Sequence, residues 1–338
     1  MLLDLYRQMA RARAFELALA ELWHDGLVSG ELHLGTGEEA IAAGVICQLG
    51  AEDALALDHR STPPLVARGV DLAAILREVL GRENGLCGGR GGHMHLLSRP
   101  DRSASSGIVG SSAPLGAGFA LAAKLLSPGS AAVAFFGEGA ANQGVVLETL
   151  NLASVWNLPL LHVCKDNGWA ITTRSQAVTA GDLVERAASF GLPVHRVDGR
   201  DVREVWKATE VALERARAGA GPSFLLATCP RPDGHFLGDP MVRTARSPVG
   251  EGRRSFARIT AAALSPRGSG LRTRVTSVSH LIGLLGQVRA TGRGADDPLQ
   301  RARQALEVSA PDVERIDKEV AEEIADVVAT VLTEGAPS

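Results

Sequence analysis

Aromatic residues are scarce, at 4% of the 338 residues with a single tyrosine. Proteins that hold single-stranded nucleic acid stack bases on such rings. A formal net charge of −3 adds no pull towards polyanions or membrane surfaces, so neither partner is expected. Cysteine is also rare. Cys47, Cys87, Cys164 and Cys229 lie far apart and form no C-x-x-C pair. That argues against a disulfide framework or a zinc site built from them, and it fits a reducing, cytoplasmic setting. No run of 18 apolar residues occurs, so no membrane span is expected. The opening stretch MLLDLYRQMARARAFELALAELW is amphipathic and contains acids, unlike a signal or transit peptide.

What remains is ordinary globular composition, 45% apolar and 22% charged, in a chain long enough to bury a substantial core. Residues 2–24 carry Leu2, Leu5, Met9, Phe15, Leu19 and Leu22 at helical spacing. Residues 38–48 and 71–80 read as further helices. Between them the paired prolines of His59-Arg60-Ser61-Thr62-Pro63-Pro64 are expected to break regular structure. Residues 85–112, rich in Gly and Ser, read as one long loop over a sheet. From 113 the pattern becomes α/β. A small-residue helix spans 114–126, an apolar strand 131–136, a helix 145–156 and a strand 159–166, which together make a βαβ unit. Helices over 182–190 and 201–218 and a strand over 222–229 follow. The expected organisation is a first part over 1–243, an Arg/Ser/Gly-rich insertion over 244–296 with one apolar stretch (278–288), and helices within 297–338, the last starting near Ser309 with Asp312 three residues on. The fold class is α/β, a central, mostly parallel sheet with helices on both faces.

The densest chemistry lies in Gly137-Glu138-Gly139-Ala140-Ala141-Asn142-Gln143-Gly144 and in Asp166-Asn167. Glu138 falls just past the carboxyl end of one strand and Asn167 just past the end of the next, where ligands of open parallel sheets collect. A carboxylate and an amide oxygen there, with a nearby backbone carbonyl, suit a hard dication such as Mg²⁺, which shares its oxygens with phosphates. The glycines allow backbone to approach a phosphate, and the following helix points its N-terminus at it. A G-x-G turn alone is weak, so a dinucleotide loop of a nicotinamide dehydrogenase has to be weighed. The spacing here is G-x-G-x-x-x-x-G rather than G-x-G-x-x-G, and an acid between the glycines would face the pyrophosphate.

These blocks, with His33-Leu34-Gly35-Thr36-Gly37-Glu38-Glu39-Ala40, Gly91-Gly92-His93-Met94-His95, Gly107-Ile108-Val109-Gly110, Pro114-Leu115-Gly116-Ala117-Gly118 and Gly234-His235-Phe236-Leu237-Gly238-Asp239-Pro240, resemble the alpha subunits of the thiamine-diphosphate-dependent dehydrogenase component of 2-oxo acid (pyruvate-type) and acetoin dehydrogenase complexes. The resemblance runs over about 1–243 and resumes near 297. It implies the thiamine-diphosphate-binding fold, cleavage of a 2-oxo acid or acetoin with the acyl unit passed to a lipoyl carrier, thiamine diphosphate and Mg²⁺ as cofactors, and an α2β2 assembly with a beta subunit, with a lipoyl acyltransferase as a further partner. Position by position it implies Glu138, Asn167 and the Trp169 carbonyl as metal ligands. His59, Arg60, Gly107, Val109, Gly137, Gly139, Ala140 and His235 fall at cofactor-contacting positions beside Glu138 and Asn167. His33 and His235 are implied as catalytic, orienting substrate or moving protons near neutral pH.

The sequence also departs from the family pattern. Glu138 stands for an aspartate, Asp166 for an asparagine, His59 for a tyrosine, Thr62 for a histidine, and Trp169 for a tyrosine. The extra methylene of Glu138 moves its carboxylate by about 1.5 Å if extended, so the chain must retract or the metal shift. Two other readings stay open: a thiamine-diphosphate-dependent carboligase or acetoin oxidoreductase with a non-lipoyl acceptor, and a degenerate structural subunit.

Overall fold

Alternating side chains of a strand point to opposite faces, and here both faces are apolar, as in a parallel sheet covered on two sides. The computed structural model describes residues 1–239, 242–243, 297–306 and 309–334, with the single positions 276, 283 and 286. Apart from those three positions, the insertion expected over 244–296, including its apolar stretch, lies outside the described residues. Strands β1 (Ala54–Leu57), β2 (Leu97–Ser98), β3 (Ser103–Ser105), β4 (Ala132–Gly137), β5 (Leu160–Asp166), β8 (Val194–Asp198) and β9 (Ser223–Thr228) form one seven-stranded sheet in the order β2-β3-β1-β4-β5-β9-β8. All neighbours are parallel except β2, which pairs antiparallel with β3 at the edge. β6 (Trp169–Ala170) and β7 (Thr173–Arg174) form a separate small hairpin.

Leu55, Leu57, Val133, Phe135, Leu161, Val163 and Leu225 face one side of the sheet. There they meet α1 (Leu2–His24), α2 (Glu39–Ile46), α3 (Thr62–Arg68), α4 (Leu72–Val79) and α8 (Val202–Arg217). Ala54, Ala56, Ala132 and Ala134 face the other side and meet α5 (Ser112–Leu126) and α6 (Gly144–Val155). Phe136, Cys164, Phe224 and Leu226 meet α6 and α7 (Leu183–Ala188) on that same side. The small residues of α5 have a steric reason: a Cβ on Gly116 would come 2.7 Å from the Ala134 Cβ.

The helix starts carry their own chemistry. Asp71, Asp182 and Asp201 each accept a hydrogen bond from the first-turn backbone N–H groups of α4, α7 and α8. Pro63 and Pro64, expected to break regular structure, instead open α3. First-turn N–H groups have no intrahelical acceptor and proline's fixed φ suits that turn. The stretch 85–112 is likewise not one loop, because it contains β2 and β3. Strands β1 and β8 were missed as well.

Two C-terminal helices, α9 (Pro298–Ala305) and α10 (Ala310–Thr333), return to the body. Val313, Ile316, Val320 and Ile324 of α10 join the same core as α1, and Tyr6 Oη donates to Asp317 at 2.7 Å. Ser309 precedes α10, but its side chain makes no capping bond. Arg13 of α1 joins three elements. Its Nε donates to Glu39 of α2 at 2.5 Å, and its two terminal nitrogens donate to Asp297, ahead of α9, at 2.9 and 3.1 Å. Glu39 is fully buried.

Removing Arg13 strands a buried carboxylate. Arg13→Ala is expected to cost about 3–5 kcal/mol in urea unfolding, while Glu39→Gln with Arg13 intact costs less. A second expectation concerns pH. His162 in β5 is fully buried beside Phe136, neither ring nitrogen has a partner among the described residues, and burial pushes its pKa down to about 3. Unfolded, it titrates near 6.5. The unfolded chain therefore binds the extra proton between these values, and the stability present above about 6.5 declines as pH falls through the window. His162→Leu should lower the slope of stability against pH between 6 and 4 by about one proton; an unchanged slope would refute it.

Candidate functional site

Four neighbouring parallel strands end side by side. The chain leaves β3 through Ser106 and Gly107, β1 through Asp58, His59 and Arg60, β4 through Glu138, and β5 through Asn167. The sheet order changes direction between β1 and β4, the place where open sheets form a crevice at their carboxyl ends. A cavity of about 300 Å³ lies there. His59, Arg60, Gly107, Val109, Gly137, Glu138, Gly139, Ala140, Asn167, Trp169 and His235 all line it. His33 is absent from its lining and sits behind His59 and His235, its ring 4.9 and 4.8 Å from theirs.

Glu138 is 2% exposed. Burial raises its pKa to about 7, against the pull of a 2.7 Å hydrogen bond donated by Ser175 Oγ. The loop after β5 is folded by two short-range bonds: Asp166 accepts from the Gly168 N–H at 2.9 Å and Asn167 Oδ1 from the Trp169 N–H at 3.1 Å. The Trp169 backbone pulls the Glu138 pKa in the same direction as Ser175 does. The Trp169 carbonyl accepts from Arg231 at 3.4 Å, and the indole lies under the guanidinium of Arg174, 4.7 Å from the ring centre. Gly139 has a steric reason: a Cβ there would meet the Ala170 Cβ at 2.8 Å. Asn142, part of the same sequence block, is structural, bonded to Thr179 and Arg186.

Arg60 is 4% exposed. Its guanidinium donates to the carbonyls of Leu34, Gly234 and His235 and thereby fastens the turn before α2 to the loop after β9. His235 is held there by its own N–H, which donates to Asp239 at 3.0 Å.

Four charged residues in the cavity wall, Glu38, Asp58, Lys165 and Arg231, were not singled out in the sequence. Lys165 Nζ donates to Glu38 at 2.6 Å and to Asp58 at 2.9 Å, all buried. Burial disfavours the ammonium, but the two carboxylates outweigh it and hold Lys165 above its ordinary value. Burial raises Glu38, whereas Lys165 and the Arg60 N–H keep Asp58 below the usual carboxylate range despite its burial. The available signal was a lysine at the end of an otherwise apolar strand.

Burial shapes the imidazoles. Reinforced by the charge of Arg60, it pushes His33 down to about 2 and His235 to about 4. Burial likewise lowers His59 to about 3, against the pull of Asp58. All three shifts favour the neutral rings. They can donate one hydrogen bond and accept another. His93 accepts the His33 N–H at 3.1 Å and stacks on its ring at 5.2 Å.

No helix among the described residues is long and apolar enough to cross a membrane. The four cysteines are free. The profile of the family described as "Dehydrogenase E1 component" matches residues 7–257. The alpha subunit of acetoin:2,6-dichlorophenolindophenol oxidoreductase from Cupriavidus necator is 44% identical over 241 residues, covering 70% of this chain and 72% of that one. Its counterpart from Bacillus subtilis is 41% identical over 237 residues, covering 70% and 71%. The pyruvate dehydrogenase E1 component subunit alpha of Zymomonas mobilis is 39% identical over 253 residues, covering 74% and 72%. With a match across that much of its length, this chain belongs to the dehydrogenase E1 component family.

Proposed function

We propose that this chain is the alpha subunit of a thiamine-diphosphate-dependent dehydrogenase that cleaves a small 2-oxo acid or acetoin. In this reading it holds the cofactor's diphosphate through a divalent metal and works with a beta subunit in an α2β2 assembly. The observation that carries the reading is that Glu138, Asn167 and Trp169, from the ends of two neighbouring strands, line one cavity of about 300 Å³ with the Glu138 carboxylate buried. A buried carboxylate with an amide oxygen and a backbone carbonyl in the same wall is a donor set of the type Mg²⁺ prefers. The Trp169 carbonyl is the third ligand. Gly137, Gly139 and Ala140 leave the backbone open to a phosphate beside them, and Gly107 and Val109 lie under the other end of the cofactor.

Once bound, the cofactor supplies a carbon nucleophile and an electron sink for cleavage beside a carbonyl. The chain's own residues do the rest. Arg60 keeps the 33–35 turn and the 234–235 loop closed over the cavity. Neutral His59 and His235 face it with a hydrogen-bond donor apiece, suited to orienting a substrate carbonyl or hydroxyl, and His33 supports both rings from behind. Ile108, Val109 and Ile171 line the same cavity yet are 69%, 58% and 55% exposed. An apolar rim of this kind fits a beta subunit seated on it, which would complete the site and exclude water. Transfer of the acyl unit to a lipoyl arm of an acyltransferase, and a cytoplasmic setting, belong to the same reading.

Two outcomes test it. In calorimetric titration with thiamine diphosphate and Mg²⁺, Glu138→Gln should weaken binding by more than about 10–100-fold, the range of lesser changes at metal sites. Because the Glu138 carboxyl must lose its proton to bind metal, wild-type affinity should also fall about tenfold per pH unit below 7 and level off above it. Affinity indifferent to both changes would remove Glu138 from the site. Separately, the chain alone should not turn over pyruvate or acetoin with an artificial electron acceptor, and co-expression with its beta subunit should restore turnover. Activity of the isolated chain would overturn the shared site.

A further inference from the structure

One ring nitrogen from each of His33, His59 and His235 lies within 4.8 Å of the others; His59 and His235 line the cavity and His33 stands behind them. We propose that these three imidazoles form a binding site for a borderline-soft transition-metal dication of the Zn²⁺ class, separate from the oxygen-donor site. Imidazole suits Zn²⁺, Cu²⁺ and Ni²⁺, whereas Mg²⁺ selects oxygen.

The tautomers favour it. His93 Nε2 accepts the His33 backbone N–H at 3.1 Å, so that nitrogen carries a lone pair. His33 Nδ1 lies 3.0 Å from the same atom and therefore bears the proton. His33 Nε2 is then the free lone pair, turned by an outer partner in the way metal-binding histidines are. His59 Nε2 is buried with no hydrogen-bond partner among the described residues, a cost of about 1–3 kcal/mol for a polar atom that a metal would relieve. Glu31, 64% exposed, places a carboxylate oxygen 4.0 Å from His33 Nε2 and can supply an anionic fourth ligand. Arg60 opposes a second cation nearby, but Glu38 and Asp58 offset it together with Lys165.

Zn–N bonds of about 2.0–2.1 Å in a tetrahedron put ligand nitrogens about 3.4 Å apart. The widest separation of 4.8 Å must close by about 1.4 Å, within reach of side-chain rotation of His235 on its loop. A metal held there ties up the His59 and His235 rings that the proposed function assigns to orienting substrate, so Zn²⁺ would act as an inhibitor reversed by a chelator. The site itself does not depend on the cofactor reading.

The test titrates the full-length chain, free of thiamine diphosphate, with Co²⁺ and follows the visible d–d absorption. The expected result is one Co²⁺ per chain, a tetrahedral d–d spectrum, and displacement by Zn²⁺. His59→Tyr, which keeps a ring in place, and His235→Asn on the loop should each weaken binding at least about tenfold, and Glu138→Gln should leave it unchanged. The proposal fails if no such spectrum develops, if both histidine variants bind like wild type, if Glu138→Gln abolishes binding equally, or if a near-ultraviolet thiolate charge-transfer band shows that Cys47 or Cys87 holds the metal. Thiamine diphosphate titration of the same Glu138→Gln protein reads the other site, so failure of one assignment is distinguishable from failure of the other.

Discussion

The Lys165 ammonium is the fixed point of this site. It sits at the end of β5, deep in the protein, and bridges Glu38 ahead of α2 to Asp58 after β1. β4 runs between β1 and β5 in the sheet, so the bridge spans the strand that carries Glu138. Asp58 takes the Arg60 backbone N–H at 3.1 Å, and Arg60 fastens Leu34, in the same turn as Glu38, and the 234–235 loop through their carbonyls. The buried charges thus position residues from four separate chain segments. Such an arrangement is costly to desolvate and contributes little net stability; what it gives is a defined geometry at the strand ends.

The same charges set the electrical state of the cavity. Lys165 and Arg60 balance Glu38 and Asp58, and Arg231 lines the same cavity as Glu138. The Glu138 pKa near 7 follows first from burial, with the Asp166 charge adding to it and the Ser175 hydroxyl pulling against it. A site that raises a carboxylate in this way and leaves hard oxygens around it favours a dication over empty protonation. The imidazoles answer to the same field. Two cations nearby and little solvent keep them neutral, which makes them hydrogen-bonding and ligating groups rather than acids at physiological pH.

Much of this was readable from the residues, and the failures have physical causes. The runs AAVAFF and PLLHVCKD are apolar on both faces, so β4 and β5 declare themselves, and the helix between them follows from its spacing. Ala54–Leu57 is just as apolar but four residues long, too short to separate from its surroundings by pattern. Val194–Asp198 carries His, Arg and Asp because β8 is an edge strand, half exposed, so it lacks the apolar signature. Pro63 and Pro64 misled because the same residue type ends helices and begins them; only the N–H bookkeeping of the first turn separates the cases. The strand-end positions of Glu138 and Asn167 were legible from strand boundaries. The Lys165 bridge was not, since Glu38, Asp58 and Lys165 are distant in sequence and meet only through sheet order.

The longer acid at position 138 shows how a local departure can be absorbed. With one methylene more than aspartate, the side chain needs something to fix where its carboxylate ends. Ser175, in the short helical turn directly after β7, donates to Oε1 at 2.7 Å, and Ala170 packs so closely on Gly139 that no larger residue fits there. The β6–β7 hairpin therefore does two things at once: it brings the Ser175 hydroxyl to the Glu138 carboxylate, and it packs Ala170 against the turn after Glu138. Asn167 and Asp166 fold the start of that hairpin through their own short bonds. The placement of the Glu138 carboxylate is thus a property of the hairpin as much as of the strand end: a change at Ser175 would remove its hydrogen bond, and a larger residue at Ala170 would press on the turn that carries it.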